Sequence, residues 1–218
     1  MRLRTGAPRA LLVVAPHPDD ETIGAFGLMT RLHRRGVQLR VLVVTDGGGS
    51  HPGSRLWPRA RLVAERERET RRAMRRLGVP AGRVTFLRLP DGELPADPAR
   101  VRRLVSRALR RAPRPLLVAA PAPSDDHADH RVVAGGVLAR RSAGVRTLVY
   151  PVWPAGAGLR HARTLRLTAQ ERLAKRTAIR SYRTQAGRIT DDPGGFAMSG
   201  AQIAAFSRPV EIFMEAHR

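Results

Sequence analysis

Leu11-Leu12-Val13-Val14-Ala15-Pro16-His17-Pro18-Asp19-Asp20-Glu21 is the stretch from which the fold of this chain can be read. Its first five residues form a short continuous apolar run, suited to a strand buried on both faces. Proline, histidine and three carboxylates follow abruptly. A helical stretch then runs from about Glu21 to Arg35 and stops at Gly36, a natural C-cap. The same order recurs downstream. Val37 to Thr45 reads as a second strand, and Asp46-Gly47-Gly48-Gly49 as the loop that leaves it. A long helix from about Arg59 to Leu77 is stopped by Gly78 and Pro80, and Val84 to Leu89 is a third strand ended by Pro90-Asp91-Gly92. In Arg100 to Arg111 the apolar Val101, Leu104, Val105, Ala108 and Leu109 keep helical spacing while the arginines fall elsewhere. Leu116 to Ala120 is a fourth apolar strand.

Strands and helices that alternate with short connections predict a Rossmann-like α/β fold: a mostly parallel sheet with right-handed connections and helices on both faces. One domain over residues 1–218 is expected, with its core in 10–150 and a less regular extension in 151–218. In that extension Pro151, Pro154, Gly156 and Gly158 mark a loop, Thr168 to Tyr182 is helical, and Pro209 to Met214 is a last strand. Ligands of such sheets bind at the carboxyl ends of strands. Chemistry is therefore expected in the loops after Ala15, Thr45, Leu89 and Ala120.

Composition narrows the function. There are 40 Lys+Arg against 18 Asp+Glu, a net charge of +22, and Lys175 is the only lysine, so 39 cations are arginine. Such a charge invites a nucleic-acid reading, since phosphate contacts release counterions. Aromatics are only 4%, however, which leaves few stacking platforms, and the arginines are scattered along helix faces rather than gathered in a tail. No apolar run approaches the ~18 residues of a membrane helix, and the run at 11–15 is too short for a leader, so a cytoplasmic protein is expected. Without cysteine there is no thiolate cluster or thiol nucleophile, and a metal must be held by His, Asp or Glu.

Two loops carry such residues. Pro16-His17-Pro18-Asp19-Asp20-Glu21 follows the first strand, and Asp125-Asp126-His127-Ala128-Asp129-His130 follows the fourth. Emerging from one end of the sheet, they offer ligands for a divalent ion, most simply zinc with an open coordination position. The competing reading makes both clusters helix caps and surface charge. In the long helix, Leu62, Val63, Ala73, Met74 and Leu77 define an apolar stripe onto which Arg66 and Glu69 also project, whereas Glu65, Arg68, Arg71, Arg72, Arg75 and Arg76 do not. A charged pair facing inward needs partners: either Arg66 and Glu69 pair with each other, or Arg66 reaches a substrate pocket. Asp91 is either a sugar-hydroxyl acceptor or part of a plain turn. His51 reads as a loop histidine, and Trp57 and Trp153 as packing residues.

Val14-Ala15-Pro16-His17-Pro18-Asp19-Asp20-Glu21 resembles the signature of the LmbE-like (PIG-L) zinc de-N-acetylases, and His127-Ala128-Asp129-His130 resembles that family's second motif. The likeness extends to Gly24, Thr45-Asp46-Gly47, Arg66-x-x-Glu69, Leu77-Gly78-Val79 and Leu89-Pro90-Asp91-Gly92, and more loosely to Ser181-Tyr182-Arg183-Thr184-Gln185 and Glu211-Ile212-Phe213. Pro16 departs from it, standing where alanine usually abuts the histidine. The resemblance implies a hydrolase that removes acetyl groups from N-acetylglucosaminide-type conjugates. By the same resemblance His17, Asp20 and His130 ligate Zn2+ (or Fe2+) and Asp19 is the general base. His127, oriented by Asp129, stabilises the oxyanion or protonates the leaving amine, and Arg66 and Asp91 contact substrate; on physical grounds, a carboxylate two residues away is expected to keep that imidazole cationic. The expected partner is a small N-acetyl sugar conjugate, not a specific nucleic acid. Two alternatives stay open: a zinc amidohydrolase for another small acylated amine, and a basic nucleic-acid-binding protein without catalysis.

Overall fold

The computed structural model describes residues 1–139 and 142–216. The parallel strands are β1 (Ala10–Ala15), β2 (Gln38–Thr45), β3 (Val84–Leu89), β4 (Leu116–Pro121) and β5 (Val145–Tyr150). They are joined by helices α1 (Asp20–Arg34), α2 (Arg59–Arg76), α3 (Pro98–Arg111) and α4 (Ala128–Leu138). The remaining elements are β6 (Arg163–Arg166), α5 (Ala169–Arg180), α6 (Gly200–Phe206) and β7 (Val210–Glu215). Together the strands form one seven-stranded sheet in the order β3-β2-β1-β4-β5-β7-β6. β1 to β5 are parallel, and β7 runs antiparallel to both β5 and β6. The fold is the mostly parallel α/β sheet that the alternation predicts.

Every residue of β1 and β4 is buried, which is why both read as unbroken apolar runs. Their period of two divides the core. Leu11, Val13 and Ala15 pack with α1, α2, α5 and α6. Leu12 and Val14 face α3 and α4 through Val101, Val105, Leu109, Val133 and Val137. The arginines of α3 stand on its outer side, exposed as their spacing predicts. Among the described residues no helix is long and apolar enough to cross a membrane.

Helix α1 carries a break that matters for the site. Ala25 leaves helical geometry at φ −137°, and the Glu211 carboxylate from β7 takes up the freed amides: Oε1 accepts Gly27 N at 2.7 Å and Oε2 accepts Leu28 N at 3.0 Å. A side chain inserted into the helical ladder is a known cause of such kinks. Just before the break, Gly24 lies against the buried ring of Tyr150, so a Cβ there would overlap the ring. The Tyr150 hydroxyl donates to Val14 O at 3.0 Å and is thereby fixed. Gly24→Ala is expected to destabilise the chain by about 3 kcal/mol, measured by denaturant unfolding.

Candidate active site

In the observed order the chain builds outward to β3 on one side of β1 and then to β5 on the other, so its strand order reverses between the parallel β1 and β4, and a ligand crevice opens there beyond the strand ends. His17, Asp19 and Asp20 leave β1 at this point, while Asp125, His127 and His130 leave β4. Pro16 O accepts both Thr45 N at 2.8 Å and Thr45 Oγ1 at 2.9 Å, which ties the first loop to the end of β2.

Three ligand-type atoms converge. His17 Nδ1 lies 3.1 Å from Asp20 Oδ2 and 3.1 Å from His130 Nε2, and His130 Nε2 lies 3.2 Å from Asp20 Oδ2. Ligands bound at ~2.0 Å to a tetrahedral ion stand ~3.3 Å apart, so this triangle has the size of one face of such a site. The second nitrogen of each ring meets carboxylates. His17 Nε2 is 3.0 Å from Asp91 Oδ1 and 3.2 Å from Asp129 Oδ2. His130 Nδ1 is 3.2 Å from Asp125 Oδ2, but out of line, so this buried nitrogen has no hydrogen bond. Carboxylates behind metal-binding histidines fix ring orientation and basicity. The residues therefore fit a divalent ion. His127 also lies close enough to form a set with His17 and His130, its ring centroid 4.6 Å from that of His17.

Electrostatics point the same way. Burial alone would discharge the imidazoles, but Asp129, Asp20 and Asp91 hold the His17 pKa well above its usual value. His130 is likewise pushed up to about 9, against its burial, chiefly by Asp20. Burial opposes ionisation of Asp20, yet His130 and His17 hold it below the usual carboxylate range. The cluster attracts positive charge.

Asp19 is different. It precedes α1 with φ 126°, a left-handed value rare outside glycine, and its side chain makes no capping bond. Its amide instead donates to Glu21 Oε2 at 3.1 Å, and Glu21 is itself bonded to Tyr182. Burial raises the Asp19 pKa well above the usual range, offset in part by Arg66. Asp20 and Glu21 do accept the His17 and Asp19 amides at the start of α1, so the capping reading holds in part for the first loop, but the convergence of Asp20 with His17 and His130 goes beyond it. The capping reading holds in part for the second as well: His127 is the N-cap of α4, with Nδ1 accepting Asp129 N at 3.2 Å.

That bond corrects the expected roles of His127 and Asp129. A ring nitrogen that accepts carries no proton, so the cap assigns the neutral ring with its proton on Nε2. Burial, with His17 and His130 nearby, lowers the His127 pKa. The Asp129 carboxylate turns away from His127, accepting Gly92 N at 2.8 Å and Leu94 N at 3.1 Å beside its contact with His17. It is the Asp129 amide that orients His127. The loop also ends earlier than expected, because Ala128, Asp129 and His130 form the first turn of α4.

Arg66 faces inward as its spacing predicts, but its guanidinium is held by backbone. Nη1 donates to Gly47 O at 2.8 Å and Nη2 to Pro18 O at 2.8 Å, with Asp19 Oδ2 at 3.4 Å. It clamps two loops together. Glu69 does not pair with it: both carboxylate oxygens take Thr184, from Oγ1 at 2.6 Å and from N at 3.1 Å. Glu65, expected on the solvent side, is buried beneath Arg68 and Arg188. Asp91 accepts Gly49 N at 3.0 Å as well as contacting His17.

A cavity of about 550 Å3 opens over this floor, within the usual ~300–1,000 Å3 of small-molecule sites. His17, Asp19, Asp20, Arg66, Asp91 and His127 all line it. Trp57 packs with Leu62 and Ile189, and Trp153 against the core, as expected, and Trp153 also forms part of the cavity wall. Residues 185 and 194–198 close the far side, a contribution that carried no periodic signal. Asp125 was the missed organiser of the second loop. Its Oδ1 accepts His127 N at 3.0 Å, and its Oδ2 accepts Val152 N and Trp153 N at 3.0 and 2.9 Å. Its cue was its place at the head of the acidic run Asp125-Asp126-His127-Ala128-Asp129-His130, which did not show that it accepts backbone amides.

The PIG-L family, described as GlcNAc-PI de-N-acetylase, matches residues 12–140. A diacetylchitobiose deacetylase from Thermococcus kodakarensis is 32% identical over 127 residues, 56% of this chain and 45% of that protein, so the match spans less than half of the relative's length. The N,N'-diacetylchitobiose deacetylase of Pyrococcus horikoshii superposes with a TM-score of 0.72 at 22% identity, covering 96% of this chain and 84% of that one. A zinc-inhibited form of the teicoplanin deacetylase Orf2 superposes at 0.63 and 19% identity, covering 81% and 84%. These two likenesses are of fold. With the family pattern running through both histidine-bearing loops and more than half of its length, the chain belongs to the PIG-L family.

Proposed function

We propose that this chain is a metal-dependent hydrolase that removes the acetyl group from an N-acetylated sugar of the N-acetylglucosaminide type. The convergence of His17, Asp20 and His130 within 3.2 Å of one another, beside an uncapped Asp19, carries this reading. Those three residues would hold a divalent ion, Zn2+ by their nitrogen-oxygen donor set or Fe2+ as the second choice. Such an ion supplies Lewis acidity, polarising an amide carbonyl and making water a stronger acid.

The chain's own residues do the rest. Asp19, buried and raised in pKa, takes the proton of the attacking water. Arg66 holds Pro18 and Gly47 so that the Asp19 carboxylate faces the cavity floor. His127, its ring fixed by the Asp129 amide, donates a hydrogen bond from Nε2–H to the developing oxyanion, and the proton taken up by Asp19 passes to the leaving amine. Asp91 retains lone pairs beyond those used by His17 and Gly49 and is assigned to a sugar hydroxyl. Another small acylated amine is the alternative substrate, favoured by the likeness to a teicoplanin deacetylase.

Acetate release from N,N'-diacetylchitobiose and N-acetylglucosamine by chelator-stripped, Zn2+-reloaded protein tests the proposal. His130→Ala is expected to lose bound metal and at least ~10²-fold in activity. Acetate release from neither sugar, with hydrolysis of a different acylated amine, would replace the sugar reading.

A further inference from the structure

The cavity has two unlike halves. Its charged lining residues, His17, Asp19, Asp20, Arg66, Asp91 and His127, all belong to the floor. The outer wall is made by Ile23, Trp153, Phe196 and Met198, with Ser50 and Gln185 as its polar side chains, and no ionisable group lines it. In a chain of net charge +22 this is a marked exception. The one guanidinium on the lining is Arg66, which lies on the floor, held there by two backbone carbonyls.

The wall is also where aromatic side chains gather. The chain has two Trp and five Phe, and three of them meet here. The Trp153 ring stands edge-on to Phe196 at 5.7 Å and to Phe206 at 5.3 Å. Trp153 is held by its amide on Asp125, the same carboxylate that holds the His127 amide, so wall and floor share a support. Phe196 is held from the other side, its amide donating to Ser50 O at 2.8 Å, yet the side chain stays 36% exposed. A large apolar ring kept in place and left open to a cavity marks a contact surface.

Granting the de-N-acetylase reading, we infer that Trp153 and Phe196 form a subsite for the group attached to the sugar, and that this group is uncharged with an apolar or aromatic face. A phosphate or carboxylate in that position would find no cation on the wall and carboxylates on the floor. A flat apolar group would cover the Phe196 ring and gain contact that free sugar lacks. The chain's arginines attract anions to its surface at large, while the cavity itself selects neutral conjugates.

Metal-loaded protein is assayed on N-acetylglucosamine and on its phenyl and 1-phosphate derivatives. The phenyl glycoside is expected to exceed the free sugar in kcat/KM by about tenfold, with the phosphate no better than the free sugar. Phe196→Ala should bring the phenyl-to-free ratio close to one, and Phe196→Leu should leave an intermediate ratio. Preference for the phosphate, or a ratio unmoved by Phe196→Ala, overturns the subsite. Binding of phenyl glucosaminide, followed by tryptophan fluorescence, separates this from failure of the reaction itself. If no sugar is deacetylated but phenyl glucosaminide binds about tenfold more tightly than glucosamine, and Phe196→Ala removes the difference, the subsite stands and only the reaction falls. Equal binding of the two removes the subsite.

Discussion

Asp19→Asn is expected to lower kcat by about 10²–10⁴-fold, the usual contribution of a positioned general base, while leaving metal content and fold intact. The substitution is nearly isosteric. It removes no helix cap, because the Asp19 side chain makes none, and it keeps the backbone amide that donates to Glu21. Asparagine also tolerates positive φ better than most residues, so the unusual φ of 126° is retained. Arg66 would lose a carboxylate 3.4 Å away but keep its bonds to Pro18 O and Gly47 O. The effect should therefore fall on kcat, with KM changed little. Loss of metal from the variant would show that Asp19 is a ligand; near-wild-type kcat would remove it as the base.

Glu211→Ala is expected to be the most damaging single change to stability, about 3–5 kcal/mol, equivalent to a fall in Tm of about 10 °C. Three groups depend on this buried carboxylate. Lys175, the only lysine, donates to Oε1 at 2.9 Å from a site almost without solvent, and the Gly27 and Leu28 amides at the break in α1 donate to the same two oxygens. Alanine would leave a buried ammonium without its counter-charge and two amides without acceptors. Because α1 begins with Asp20 and Glu21, loosening its break should also reduce activity more than a change of equal stability cost far from α1. Thermal unfolding of Glu211→Ala beside Lys175→Met measures this. The lysine variant should cost less, since Glu211 keeps its two amide donors. Equal stability of Glu211→Ala and the parent would refute the account of the break.

What could be read from the sequence follows from how locally each feature is determined. β1 and β4 were legible because strands buried on both faces must be continuously apolar, β2 and β3 because their apolar residues stand between clear turn signals, and α3 because its arginines keep to one side. β6 was not, since Arg163 and Arg166 flank only Thr164 and Leu165, and distant pairing, with β7 and with the N-terminal segment at Arg2, makes it a strand. α4 was obscured by an unusual histidine cap and by Gly135 and Gly136 within it. Ligand candidates were visible because they lie within two short loops. Their supports were not, because Asp125 acts on β5-side amides and Glu211 acts across more than 180 positions. Arg66 shows the limit most clearly: helical spacing gave its direction, and only the fold shows that its guanidinium holds two backbone carbonyls at the cavity lining.

The central claim is that His17, Asp20 and His130 form one metal centre that makes this chain a de-N-acetylase. Titrating Zn2+ into the stripped protein while following acetate release from N,N'-diacetylchitobiose tests it most directly. The account predicts no release without metal, a rise that reaches its plateau at about one equivalent per chain, and no response in His130→Ala. Equal acetate release by the stripped and loaded proteins, or a full response in His130→Ala, would contradict it.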